Sequence, residues 1–382
     1  MNIPVKFPEE LYANVPVTTL AKEYSRPGVT AIYFDNEPYK GKPTRVFAWM
    51  GMPYLKKNQT CPAMVLIHGG GGTAFDEWVR IWNQRGYAAI AIDTCGARPD
   101  LPEALHSGPH IRDEFSGPEG WGASFHQMNE TLTDQWQYHA VTALLRAHTL
   151  LASQPEVDPS RIGVTGISWG GYLTSLIMGI DSRYSAAIPV YGCGFITDNS
   201  TWKDEGYDGA SEDEMSLWRK QWDPMHYLPN ATMPSLWLTG TNDFAYPLDS
   251  VQKSYQAVSG STDIVIIFEM EHGHGAGWDR SEIAAFTDAH FKDSCPLTKV
   301  CSCVLQDGTL RATLITERPL IRAEIIFTRG RGIWQDRKFN VLEAEIDGDV
   351  VTAKLPNLTS VAFLNIYDDR KLICSTAHKT IE

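Results

Sequence analysis

The sequence predicts an α/β protein: a doubly wound, mostly parallel sheet followed by a small antiparallel β-sandwich. Three observations lead there. Short continuous apolar runs such as Ala63–Ile67 and Tyr87–Ile92 alternate with helical patterns as far as residue 292, as expected of strands buried on both faces and joined by crossover helices. Four of these strands end in loops rich in glycine, histidine or aspartate, and doubly wound sheets gather their chemistry at the carboxyl ends of strands. From Val300 to His378 the pattern changes to period-2 segments separated by turns such as Asp307-Gly308 and Asp347-Gly348, which reads as antiparallel sheet. The expected division is residues 1–296 for the α/β domain, with insertions at about 94–132 and 191–233, and 297–382 for the all-β domain.

Taken in order, residues 1–27 are punctuated by proline and read as a packed arm. Val29–Phe34 and Thr44–Met50 bracket a Pro/Lys/Gly turn and predict two antiparallel strands. Ala63–Ile67 is a buried strand that runs into His68-Gly-Gly-Gly-Gly72, and Phe75–Gln84 follows with Trp78 and Trp82 at helical spacing. After the strand Tyr87–Ile92 comes a long Gly/Pro/His-rich segment with Trp121 and Phe125; loops of that length in a compact domain are usually functional. Asp134–Ser153 is a strong helix and Asp158–Arg161 a turn. They deliver the chain to the strand Ile162–Thr165 and a helix running from Trp169 toward Ile180. Ala186–Val190 is a strand, and Tyr191–Met233 reads as a second irregular insertion, with Trp202, Trp218 and Trp222. The strands Leu236–Thr239 and Asp263–Phe268 then alternate with the helices Pro247–Ala257 and Ser281–Phe291.

Composition narrows the function. The 382 residues are 43% hydrophobic and 21% charged, with a net charge of −13. No basic stripe exists to neutralise phosphates, so nucleic acid is not an expected partner. No apolar run is long enough to span a bilayer, and Met1–Leu11 lacks the basic and apolar regions of a signal peptide. The expected compartment is cytoplasmic, with a secreted or periplasmic protein whose signal has been removed as the alternative. Seven cysteines without framework spacing predict mostly free thiols.

Gly166-Ile-Ser-Trp-Gly170 carries the chemistry. A serine on a tight strand-to-helix turn adopts strained backbone angles, and side chains two residues to either side would collide, so glycine stands there. On its own the pentapeptide also fits an ordinary glycine-rich βα turn. A serine hydroxyl needs a general base, and the base needs a buried carboxylate to orient it. Asp243 follows its strand directly, although an Asx-turn is the competing reading, and Asp249 is the nearest rival acid. For the base there are two candidates, His272 and His274. Glycines flank His274 and let its loop bend back toward Ser168, whereas His272 lies closer to the strand. A zinc site from this pair lacks a third ligand at workable spacing. The oxyanion of acyl transfer needs two amide donors: Trp169, which follows the serine, and Gly70 or Gly71 of the glycine loop. That loop lacks the lysine and hydroxyl of a phosphate-binding loop.

Together, the strand ending in HGGGG and the motifs GISWGGY, GTNDFAYP and GHGAGW resemble the α/β-hydrolase superfamily over roughly residues 45–292. They are similar to its prolyl oligopeptidase, dienelactone hydrolase and acetylxylan esterase-like groups. The resemblance implies the α/β-hydrolase fold and a catalytic set of Ser168, Asp243 and His274, with His274 chosen because Gly273-His-Gly-Ala-Gly277 is similar to the oligopeptidase histidine loop. The stretch Ile188–Phe195 with Asn199–Trp202 resembles bacterial acetylxylan esterases. There are departures. The segment before Ala63 is too short for an oligopeptidase propeller, the elbow residue is serine where dienelactone hydrolases use cysteine, and Trp169 stands where the cephalosporin-accepting esterases tend to have glutamine.

The expected function is a serine esterase that removes acetyl or another small acyl group from a carbohydrate. Trp121, Trp202 and Trp278 are candidates for stacking on sugar rings, against core packing as the plain alternative. A small-peptide hydrolase and a non-catalytic glycan-binding or scaffold protein are the other readings. No metal or cofactor is implied. The expected partner is a small-molecule or glycan ester, with homo-oligomerisation left open.

Overall fold

In a computed structural model, the structure describes residues 4–24, 26–99, 111–204 and 209–381. Residues 100–110 and 205–208 of the two expected insertions lie outside the described residues, as do residues 1–3 and 25 of the expected arm and residue 382.

The N-terminal part is built on one sheet. Its strands are β1 (Thr18–Leu20), β2 (Thr30–Tyr39), β3 (Lys42–Gly51), β4 (Cys61–Ile67), β5 (Ala88–Ile92), β6 (Val157–Ile167), β7 (Ala186–Val190), β8 (Ser235–Gly240) and β9 (Thr262–Ile267), in spatial order β1-β2-β3-β5-β4-β6-β7-β8-β9. Pairing is antiparallel from β1 to β5 and parallel from there to β9. The continuous apolar runs follow from burial on both faces. Ala63, Val65 and Ile67 of β4 join one core with the helices Trp136–Ala152 and Trp169–Ile177, while Met64 and Leu66 join the other with Asp76–Gln84 and Ser281–Phe291.

Three local readings change. The β2–β3 turn is tighter than expected. Lys40 and Gly41 both adopt positive φ, as in two-residue hairpins, and Pro38 and Pro43 fall inside the strands beside a register irregularity at Asn36 to Tyr39. The expected turn Asp158–Arg161 lies within β6, where the register with β4 jumps from Val157 to Ile162. The second insertion is helical over Glu212–Trp222, where Ser211 and Glu214 form a reciprocal capping box.

From Lys299 the chain forms two antiparallel sheets. The strands are β10 (Lys299–Gln306), β11 (Thr309–Ile315), β12 (Leu320–Thr328), β13 (Phe339–Glu343), β14 (Glu345–Asp347), β15 (Val350–Lys354), β16 (Val361–Asp368), β17 (Ile373–Ser375) and β18 (Lys379–Thr380). β10-β11-β15-β14 face β13-β12-β16-β17 across a core that includes Leu310, Val351, Ile325 and Leu364, and β18 pairs with β16. The outer face of the second sheet, with Ile326, Val361 and Phe363, packs on Ile266 and Leu248. The side chains of Ser375 and Asn365 meet the N–H and C=O of Ile266 at 2.8 Å each. The free edge of β9 is covered in this way, which removes an unpaired strand edge from solvent.

Candidate active site

Ser168 stands between β6 and the helix Trp169–Ile177 with φ 58° and ψ −116°, a conformation that costs a non-glycine residue about 1–3 kcal/mol and persists only where its surroundings enforce it. They do so through close backbone contact. A Cβ on Gly166 would lie 2.1 Å from the carbonyl oxygen of Gly170, and one on Gly170 would lie 2.1 Å from that of Ile67. Glycine is therefore a steric requirement at both positions.

The base is where the structure departs from expectation. His272, not His274, bridges Ser168 and Asp243: its Nε2 lies 2.8 Å from Ser168 Oγ and its Nδ1 2.7 Å from Asp243 Oδ2. Asp243 is buried, and its other oxygen accepts the amides of Ala245 at 3.0 Å and Tyr246 at 2.7 Å. It is an Asx-turn residue and the imidazole's partner at once. Asp249 bonds Asn199 instead.

The imidazole of His272 lies against the ring of Tyr191 (centroids 4.5 Å apart) and against Phe244 (4.7 Å). Tyr191 enters at positive φ directly after β7, and its hydroxyl donates to the carbonyl of Gly273. Burial pushes the Tyr191 hydroxyl well up from its ordinary range, so it stays a donor. This positioning role was not anticipated; the aromatic residue directly after a strand end was the available signal.

His274 meets a different loop. The amide of Gly69 donates to its Nε2 at 2.8 Å. The physical reason for the exchange of roles is the path of the chain: Gly273 is extended and His274 opens a short helical turn, so the histidine nearer β9 reaches Asp243 while the next one turns toward Gly69.

The Gly69–Gly72 loop is held from below. His68 is buried, its Nε2 accepts the amide of Thr94 at 3.0 Å, and its Nδ1 is 2.8 Å from the carbonyl of Gly69. Asp93 accepts the amides of Cys95 and Ala97 and the hydroxyl of Thr73. Gly71 has φ +72°, and a Cβ on Gly70 would meet the Trp169 ring at 2.9 Å. Gly70 thus lies against Trp169, whose own amide is in the first helical turn, where intrahelical acceptors are lacking.

Residues 114–292 match the model of the prolyl oligopeptidase family. The structure is similar to an acetyl xylan esterase from Paenibacillus sp. R4 (TM-score 0.56, 21% identity, 72% of this chain and 88% of that one). It is also similar to the Pyrococcus horikoshii acylaminoacyl peptidase (TM-score 0.52, 19% identity, 70% of this chain and 43% of that one). The chain has the α/β-hydrolase fold. An uncharacterized peptidase of Bacillus subtilis, YuxL, is 26% identical to this chain over 227 residues, which is 56% of this chain and 31% of that relative's length.

The three candidate tryptophans divide. Trp121 lies edge-on to His68 (centroids 6.3 Å) and close to Gly70, and Trp202 packs on Trp169 (5.0 Å). Trp278 stands beyond His274, against Phe75 and Trp78, in a hollow of about 340 Å³ that Trp49 and Arg26 also line. Trp218 and Trp222 are core residues. Among the described residues, no group of three or more His, Cys, Asp or Glu side chains is placed to hold a metal ion, and no helix is long and apolar enough to cross a membrane.

Proposed function

We propose that this chain is a serine-dependent carboxylic ester hydrolase that works through an acyl-enzyme and takes small acyl groups, acetyl foremost, from a carbohydrate. The observation that carries the reading is His272, within hydrogen-bond distance of Ser168 and Asp243 simultaneously.

In this reading Ser168 Oγ attacks the ester carbonyl carbon as its proton passes to Nε2 of His272. Asp243, on Nδ1, holds the tautomer that leaves Nε2 free to accept and stabilises the imidazolium that forms. The amides of Trp169 and of Gly70 or Gly71 receive the negative oxygen, at the positive end of a helix dipole. Collapse expels the alcohol, which takes the proton from His272. Water then repeats the sequence on the acyl-enzyme and releases the acid.

Two features favour a small acyl group on a sugar. Trp169, the residue after the serine, packs against Trp202 and Phe125, and Trp121 lies near Gly70 of the glycine loop, an aromatic cluster beside the elbow that favours short acyl chains in this reading. The Paenibacillus neighbour, an acetyl xylan esterase, is covered over most of its length, whereas the peptidase neighbour is covered over less than half. A small-peptide hydrolase is the second reading, favoured by the match of residues 114–292 to the prolyl oligopeptidase family. The bridged serine, histidine and aspartate count against a non-catalytic scaffold.

The test is hydrolysis of p-nitrophenyl acetate, acetylated xylan and a short proline-containing peptide amide by wild type and Ser168→Ala. Serine-dependent release of acetate from the glycan with the peptide untouched is expected. Cleavage of the peptide alone would move the protein to the peptidase reading.

A further inference from the structure

The second histidine of the loop faces away from the acid and toward the glycine loop, and its contacts assign it a task. Gly69 is held at both ends of its backbone: its amide donates to His274 Nε2 at 2.8 Å, and its carbonyl accepts the amide of Gly72 at 3.1 Å and lies 2.8 Å from His68 Nδ1. The loop is also moulded to the ring. A Cβ on Gly72 would lie 2.9 Å from His274 Nε2 and one on Gly69 would lie 3.2 Å from it. Phe75 backs the imidazole at a centroid distance of 4.7 Å. On the other side, Tyr191 clasps Gly273, the residue between the two histidines.

We propose that His274 is a positioning residue that locks the glycine loop in register with the base. This inference rests on the esterase reading above. Consecutive glycines have unusually many backbone conformations to lose, and amide donors act on an oxyanion only when they are fixed before the reaction. The hydrogen bond from Gly69 to His274 supplies that fixation to Gly70 and Gly71. Because Gly273 joins the two histidines, one clasp by Tyr191 sets both the Ser168–His272 pair and the loop that serves it. To accept from an amide, Nε2 must be unprotonated, so the ring carries its proton on Nδ1.

The test compares His274→Gln, whose Oε1 can place an acceptor near the position of Nε2, with His274→Leu, which fills space without one. With p-nitrophenyl acetate, His274→Leu is expected to lower kcat about 10- to 100-fold with KM within about twofold, and His274→Gln to recover to within about threefold of wild type. Labelling of Ser168 by a small phosphonate should slow in His274→Leu by the same factor as kcat. Nitrogen NMR of the wild-type enzyme at neutral pH should show Nδ1 protonated and Nε2 bare on His274, a readout independent of any variant's folding. Wild-type kcat in His274→Leu, equal losses in the two variants, or an Nε2–H tautomer would overturn the proposal. His272→Ala in parallel separates the two claims, since activity retained there defeats the underlying mechanism whatever His274 does.

Discussion

Ser168 holds a strained conformation because the backbone around it leaves no alternative, and the glycines beside it test that account. Gly170→Ala would drive a methyl into the carbonyl of Ile67, and backbone on both sides cannot yield as a flexible side chain would. The expected loss is about 3 kcal/mol, the upper end of the usual range for overpacked cores, together with activity. Denaturant unfolding of the variant measures it, and near-wild-type stability would show that the elbow is looser than its geometry states. At this scale much of the site was legible: Ser168 and Asp243 follow from motif and order, because a nucleophile elbow and an acid at a strand end each have a steric or electrostatic reason to be where they are. The choice between His272 and His274 was not legible. Two residues apart on a glycine-rich loop, both satisfy any spacing rule. The extended Gly273 and the helical turn after it decide the matter, and neither is written in the flanking glycines.

Among the elements, strands buried on both faces were the plainest, since β4 and β5 feed alternate side chains to opposite cores. The helix Glu212–Trp222 was missed because its tryptophans sit in a polar, charged stretch. Its start signal, Ser211 three residues before Glu214, was there to be read. The helix Trp136–Ala152 carries its own prediction. His148 is buried in it, edge-on to Tyr184 and beside the carbonyl of Arg183, and burial pushes its pKa down to about 4. The folded protein keeps this ring neutral, whereas the unfolded chain protonates it below its ordinary range near 6.5. The unfolded state therefore binds more protons in between, so His148 lowers stability as pH falls from about 6.5 to 4 and has no such effect above that window. His148→Gln keeps a donor toward Arg183 without titrating. Thermal unfolding of the variant should fall less steeply than that of wild type across the window, and identical slopes would contradict the assignment.

At the scale of the molecule, the C-terminal sandwich closes the edge of the nine-stranded sheet. Its period-2 pattern was legible. Its docking was not, because Ile326, Val361 and Phe363 alternate like any inward-facing residues and nothing in their spacing names β9 as the partner. Truncation after residue 296 would uncover Ile266 and the edge of β9, so the shortened chain is expected to aggregate or unfold at a lower temperature than the full one. A soluble monomer with an unchanged unfolding temperature would show the sandwich to be an independent attachment. The central claim remains the transfer of a proton from Ser168 to His272, oriented by Asp243. Its most direct measurement is kcat/KM on p-nitrophenyl acetate for His272→Ala beside His274→Gln, with folding checked by circular dichroism. The account predicts a loss of about 10⁴-fold or more for His272→Ala and a loss of no more than about threefold for His274→Gln. The reverse ranking would return the role of base to His274 and contradict the geometry on which the mechanism stands.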